Sequence, residues 1–111
     1  MYNKFGQFID GKWQSSVNKE TYEVINPATE EIIGKVSKAS PADVDKALKS
    51  AEKGFEVWKK IKPWERSKII RKIADEIRKK SKVFANWMTL ETGKTLAEGE
   101  AEVGAAADIF E

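Results

Sequence analysis

The apolar positions of this chain change their spacing near residue 40, from short alternating runs to the three- and four-residue intervals of amphipathic helices. Phe8-Ile9-Asp10-Gly11-Lys12-Trp13 predicts a tight hairpin, because Asp-Gly supplies the two positive-φ residues that a type I′ turn places between extended flanks. The polar segment Ser15–Glu20 reads as a loop. Thr21-Tyr22-Glu23-Val24-Ile25 then alternates as a half-buried strand does, and Asn26-Pro27 ends it, since Pro cannot donate to a ladder and holds its predecessor extended. Ile32-Ile33-Gly34-Lys35-Val36 is its antiparallel return. The first forty residues are thus expected to form one small sheet.

Ser40-Pro41-Ala42-Asp43 combines a capping box with Pro at the first helical position, which starts a helix. Val44, Ala47, Leu48, Ala51, Phe55 and Trp58 follow in one stripe, predicted to face a core. Pro63 opens a second helix, with Ile69, Ile70, Ile73, Ala74 and Ile77 as its predicted buried positions. A third is expected to start from Ser81 as N-cap, with Phe84, Trp87 and Met88 on one face. Gly93 supplies its left-handed C-terminal residue, and Lys94 is expected to meet the unpaired carbonyls there. The last helix carries Ala97, Ala101, Gly104, Ala105, Ala106 and Ala107 and runs to Phe110 and Glu111 with no Gly, Asn or Pro to stop it. An open helix end leaves carbonyls and an apolar face uncovered, so the 111 residues are expected to be the front of a longer polypeptide.

Composition narrows the chemistry. The chain has no Cys and no His, which removes disulfides, thiol nucleophiles, Cys-ligated metals and the commonest general base. The residues at the N-terminus form no apolar signal core, and no run is long enough to span a membrane, so a cytoplasmic protein is expected. The formal charge of +2 conceals an asymmetry: Lys59 to Lys82 holds eleven Lys or Arg against three acids, whereas Glu98 to Glu111 holds five acids and no base. The basic stretch could serve a free-standing interaction or nucleic-acid-binding module. Its bases, however, spread all round the helix and alternate with no aromatic stacking platform, so a solvated face with ordinary i, i+3 and i, i+4 pairs is the simpler account.

Other constellations give no active site. Gly93-Lys94-Thr95 imitates the end of a phosphate-binding loop, but Met88 stands where that loop needs Gly, and no G-x-G-x-x-G occurs. Glu98, Glu100 and Glu102 alternate between helix faces as surface charges do. Trp13, Trp58, Trp64 and Trp87 are predicted to fill core and interface rather than to form a stacking box.

Taken in order, Phe8-Ile9-Asp10-Gly11-Lys12-Trp13, Ile25-Asn26-Pro27-Ala28-Thr29 with Ile33-Gly34, Asp43-Val44-Asp45-Lys46-Ala47, Trp58 with Trp64-Glu65-Arg66, Glu91-Thr92-Gly93-Lys94 and Glu102-Val103 resemble the N-terminal region of the NAD(P)-dependent aldehyde dehydrogenase superfamily. The hairpin, Asn-Pro and Glu-Thr-Gly-Lys motifs look most like succinate-semialdehyde dehydrogenases. The resemblance implies an α/β fold, of which residues 1–111 are an incomplete first part of the coenzyme-binding domain, with β-hairpins over 1–39 and four helices over 40–111. It implies a longer enzyme, using NAD or NADP, in which a cysteine thiolate attacks an aldehyde, hydride passes to nicotinamide and the thioester is hydrolysed to a carboxylic acid. No catalytic or coenzyme-binding residue carries over, so these residues alone are expected to be inactive and to bind no coenzyme. The implied partners are the remainder of the enzyme, its aldehyde and further copies of the chain, with no specific nucleic acid and no membrane. The resemblance also implies two local sites: a monovalent cation held by the carbonyls of Val24 and Ile25 with Glu91, where some members have the shorter Asp and where a plain surface Glu is the alternative, and an aldehyde tunnel approached by Glu102, Ala105 or Ala106, where small side chains serve close helix packing as the alternative.

Overall fold

The computed structural model describes residues 6–111, which form four strands and four helices divided between two compact units. One unit comprises the described residues up to Ile25 with Glu31–Lys60; the other comprises Asn26–Glu30 with Ile61–Glu111.

In the first unit, β1 (Gln7–Ile9) and β2 (Lys12–Gln14) pair antiparallel with Phe8 opposite Trp13. Asp10 (φ 55°) and Gly11 (φ 75°) supply the turn, as the Asp-Gly pair predicts. The Phe8 and Trp13 rings meet across the strands at 5.1 Å between centroids, tilted by 57°. β3 (Thr21–Ile25) pairs antiparallel with β4 (Ile32–Ser37), and a register shift falls between Val24 and Ile25, where the chain leaves the ladder for Asn26. Glu23–Lys35 and Glu20–Lys38 ion pairs lie on this hairpin, with the Lys38 ammonium over the Tyr22 ring. The single small sheet expected from sequence is therefore two separate two-stranded sheets. Nor is β3 half-buried by alternation: only Val24 is shielded, because a lone two-stranded ribbon offers nothing to cover its second face.

α1 (Pro41–Trp58) begins at the predicted capping box. The Ser40 backbone N–H and hydroxyl donate to Asp43 Oδ2 at 2.9 and 2.7 Å, and the Asp43 N–H donates to Ser40 Oγ at 3.3 Å. Asp43 does more than close the box. Its two carboxylate oxygens also accept the Val17 N–H, at 3.3 and 3.2 Å, so one carboxylate, 2% exposed, fixes the Ser15–Glu20 loop to the helix start. The Ser40 hydroxyl, followed by the Ser40 and Val17 N–H groups, holds the carboxyl below the usual carboxylate range against the opposing cost of burial. The face that packs runs through Asp43, Ala47 and Ser50, whose hydroxyl donates to Asp10 Oδ1 at 3.3 Å, while Ile9 packs from β1. The large apolar stripe is displaced from it by one position. Leu48 and Phe55 are 63% and 59% exposed and Val44 is also open, which corrects their assignment to a core.

In the second unit, α2 (Pro63–Lys79), α3 (Ser81–Thr92) and α4 (Leu96–Ile109) pack together. Ala74, Ala85, Val103 and Ala107 are its buried hydrophobic residues. On α2, Ile70 and Ile77 flank Ala74 at i−4 and i+3 and are half-buried, but Ile69 and Ile73, expected inside, are each 42% exposed. With Ile77 and Phe84 they line an apolar groove of about 390 Å³ between α2 and α3.

Ser81 is not the N-cap of α3. Lys80 alone separates the two helices, and its carbonyl accepts the Val83 and Phe84 N–H groups at 2.9 and 3.1 Å, so the helix starts one residue early with no side-chain cap. Phe84 and Trp87 are edge-on at 5.8 Å, and both are half-buried with Met88.

Candidate functional site

The residues with most local structure lie where α3 passes into α4. Gly93 takes φ 74°, the left-handed conformation that closes a helix, and its N–H donates to the Thr89 carbonyl at 2.9 Å. A Cβ at this position would lie 3.1 Å from Pro27 Cγ, so the glycine is required twice over, by its φ and by the proline seated against it. The Asn-Pro turn is itself fixed: Asn26 Oδ1 accepts the Ala28 N–H at 3.0 Å, and the Asn26 carbonyl accepts the Glu30 N–H at 2.8 Å. Two stretches that carry the family resemblance, Asn26-Pro27 and Glu91-Thr92-Gly93-Lys94, thus meet in space.

Lys94 does not serve the α3 carbonyls as expected. Its ammonium donates to both oxygens of Glu102 at 2.7 Å, eight residues on and along the side of α4. Between them, Thr95 caps α4. The Thr95 N–H and hydroxyl donate to Glu98 Oε2 at 3.0 and 2.9 Å, and the Glu98 N–H returns to Thr95 Oγ1 at 3.3 Å. The Thr95 N–H, then its hydroxyl, hold Glu98 below the ordinary range of a glutamate, with a smaller contribution from Lys94 and with burial opposing. This second capping box escaped the sequence reading although its signature, Thr-x-x-Glu after a helix-closing Gly, is present. The Lys94–Glu102 pair had no comparable signal, because eight-residue spacing belongs to no local rule.

One helical turn further on, α4 crosses α3 closely. A Cβ on Gly99 would lie 3.0 Å from the Ala85 carbonyl oxygen and 3.4 Å from its Cβ. Gly99, Val103 and Ala107, at i, i+4 and i+8, are the buried face. Ala105 and Ala106, assigned to an aldehyde tunnel by resemblance, lie on the exposed part of α4, and Glu102 is the acceptor for Lys94. Of the cation-site residues, Val24 and Ile25 close β3 in the first unit, and Glu91 lies in the last turn of α3 in the second. Among the described residues no group of three or more His, Cys, Asp or Glu is placed to hold a metal ion.

The basic stretch is partly neutralised. Lys68 pairs with Glu65 at 3.0 Å and Lys79 with Glu76 at 2.8 Å, and Arg78 reaches Asp108 and Glu111 at 2.7 Å each. Those two carboxylates raise the Arg78 pKa further, Asp108 first. Of the i, i+3 and i, i+4 pairs expected on this helix, Lys79 takes Glu76, while Arg78 takes the α4 acids instead. A groove of about 340 Å³ remains beside Lys79, Lys80 and Lys82, with Glu100 on its wall. Trp13 and Trp64 are exposed, which corrects their assignment to core filling, while Trp58 and Trp87 are half-buried; Trp13 and Trp87 each meet a phenylalanine ring, tilted in one case and edge-on in the other. Among the described residues no helix is long and apolar enough to cross a membrane.

Comparison with known proteins places this arrangement. A sequence model described as the aldehyde dehydrogenase family matches residues 13–111. The crystal structure of betaine aldehyde dehydrogenase from Staphylococcus aureus in complex with NAD+ superposes with a TM-score of 0.88 at 38% identity, covering 92% of this chain and 21% of that one. A double mutant of that enzyme with NAD+ gives 0.89 at the same identity over 94% and 21%, and an apo point mutant gives 0.88 over 92% and 21%. The chain spans about a fifth of the length of these structures. Its hairpins and helices are consistent with the α/β fold of those enzymes. The match through the Asn-Pro turn, both capping boxes and the α3–α4 crossing leads to one assignment: the chain belongs to the aldehyde dehydrogenase family.

Proposed function

We propose that this chain serves NAD-dependent oxidation of an aldehyde to a carboxylic acid, as the framework leading into a coenzyme-binding domain. The observation that carries the reading is the continuous family match over residues 13–111, supported by 38% identity to an enzyme solved with NAD+. The residues present do not fit the coenzyme or the chemistry by themselves. There is no thiol to form a thioester and no G-x-G-x-x-G to receive a pyrophosphate. The nucleophile and coenzyme contacts therefore belong to further polypeptide, and the part played by Pro27, Gly93, Lys94 and Thr95 is to fix the helices that such polypeptide would pack against.

The finer reading is a succinate-semialdehyde-type substrate, NAD in preference to NADP, assembly into a homo-oligomer and a cytoplasmic setting. The wording of the hairpin, Asn-Pro and Glu-Thr-Gly-Lys motifs supports the substrate, and the NAD+ bound in the matched structures supports the coenzyme. A chimera tests the proposal: this chain replaces the corresponding segment of the S. aureus betaine aldehyde dehydrogenase, and NAD reduction is followed with betaine aldehyde and with succinate semialdehyde. The expected result is a folded, active chimera, with the 111 residues alone inactive. A folded chimera that binds NAD+ yet reduces none, or dehydrogenase activity in the 111 residues alone, would overturn it.

A further inference from the structure

We draw no further inference here: the strongest candidate, the apolar groove between α2 and α3 lined by Ile69, Ile73, Ile77 and Phe84, is an uncovered face for which nothing in the structure shows the occupant.

Discussion

α1 and α4 invert the usual relation between sequence pattern and packing. α1 has a wide stripe of large apolar residues, yet Leu48 and Phe55 stand in the open and its only fully enclosed residue is a carboxylate, Asp43. α4 has small residues on every side, yet it encloses Gly99, Val103 and Ala107. The difference lies in what each pattern encodes. A stripe of Leu and Phe states that a face is suited to burial, without saying which partner supplies the cover. A glycine or alanine states how near a backbone can come, and the partner, Ala85, is already there.

The largest effect expected from this contrast is at the crossing. Gly99→Val drives a branched side chain into the Ala85 backbone, and because backbone cannot swing aside as a side chain can, the second unit should lose about 3 kcal/mol. Denaturant unfolding measures it, and a loss below about 1 kcal/mol would mean that the helices stand further apart than described.

Next in size are the two capping boxes, which use one device in different settings. Ser40→Ala and Thr95→Ala should each cost about 1 kcal/mol. They should also differ from the parent in acid. Asp43 and Glu98 have folded pKa values below their unfolded ones, so the stability they provide is complete above the unfolded carboxylate pKa of about 4 and is lost as pH falls through the lower folded values. Ser40→Ala removes the principal cause of the Asp43 shift and should flatten the acid limb of the stability profile. An unchanged limb would show that the backbone N–H groups of residue 40 and Val17 suffice. Thr95→Ala removes only the hydroxyl, leaving the backbone donor that acts most on Glu98, and should flatten the limb less.

The smallest change is expected on α1. Leu48→Ala removes a side chain already in water and should move stability by no more than about 0.5 kcal/mol, where the same substitution in a packed core costs about 2 kcal/mol or more. A core-sized loss would show that the α1 stripe is covered in solution.

Much of the fold was legible because local rules govern it. Asp10-Gly11 can hardly do other than turn, Ser40-Pro41-Ala42-Asp43 caps, and Gly93 takes the left-handed position that a β-carbon would resist. Legibility ended where distance along the chain grew. The Asp43 carboxylate reaches Val17, 26 residues away, and Arg78 reaches Asp108, 30 away, through pairings set by tertiary placement. Ser81 was misjudged for a different reason: its type suits an N-cap, but Lys80 already provides the first carbonyl and Ser81 falls inside the helix. At the candidate site, Gly93 could be read from sequence and its contact with Pro27 could not, because neither residue type announces the other.

The single-residue joint at Lys80 has a consequence for tolerance to indels. An α-helix advances about 100° per residue, so with only one residue between α2 and α3, inserting or deleting an amino acid there would rotate the following helix by nearly a third of a turn. Ala85 would swing off the Gly99 crossing and a bulkier neighbour would take its place. The azimuth of α3, and with it the seat of α4, is therefore set by residue count at this joint.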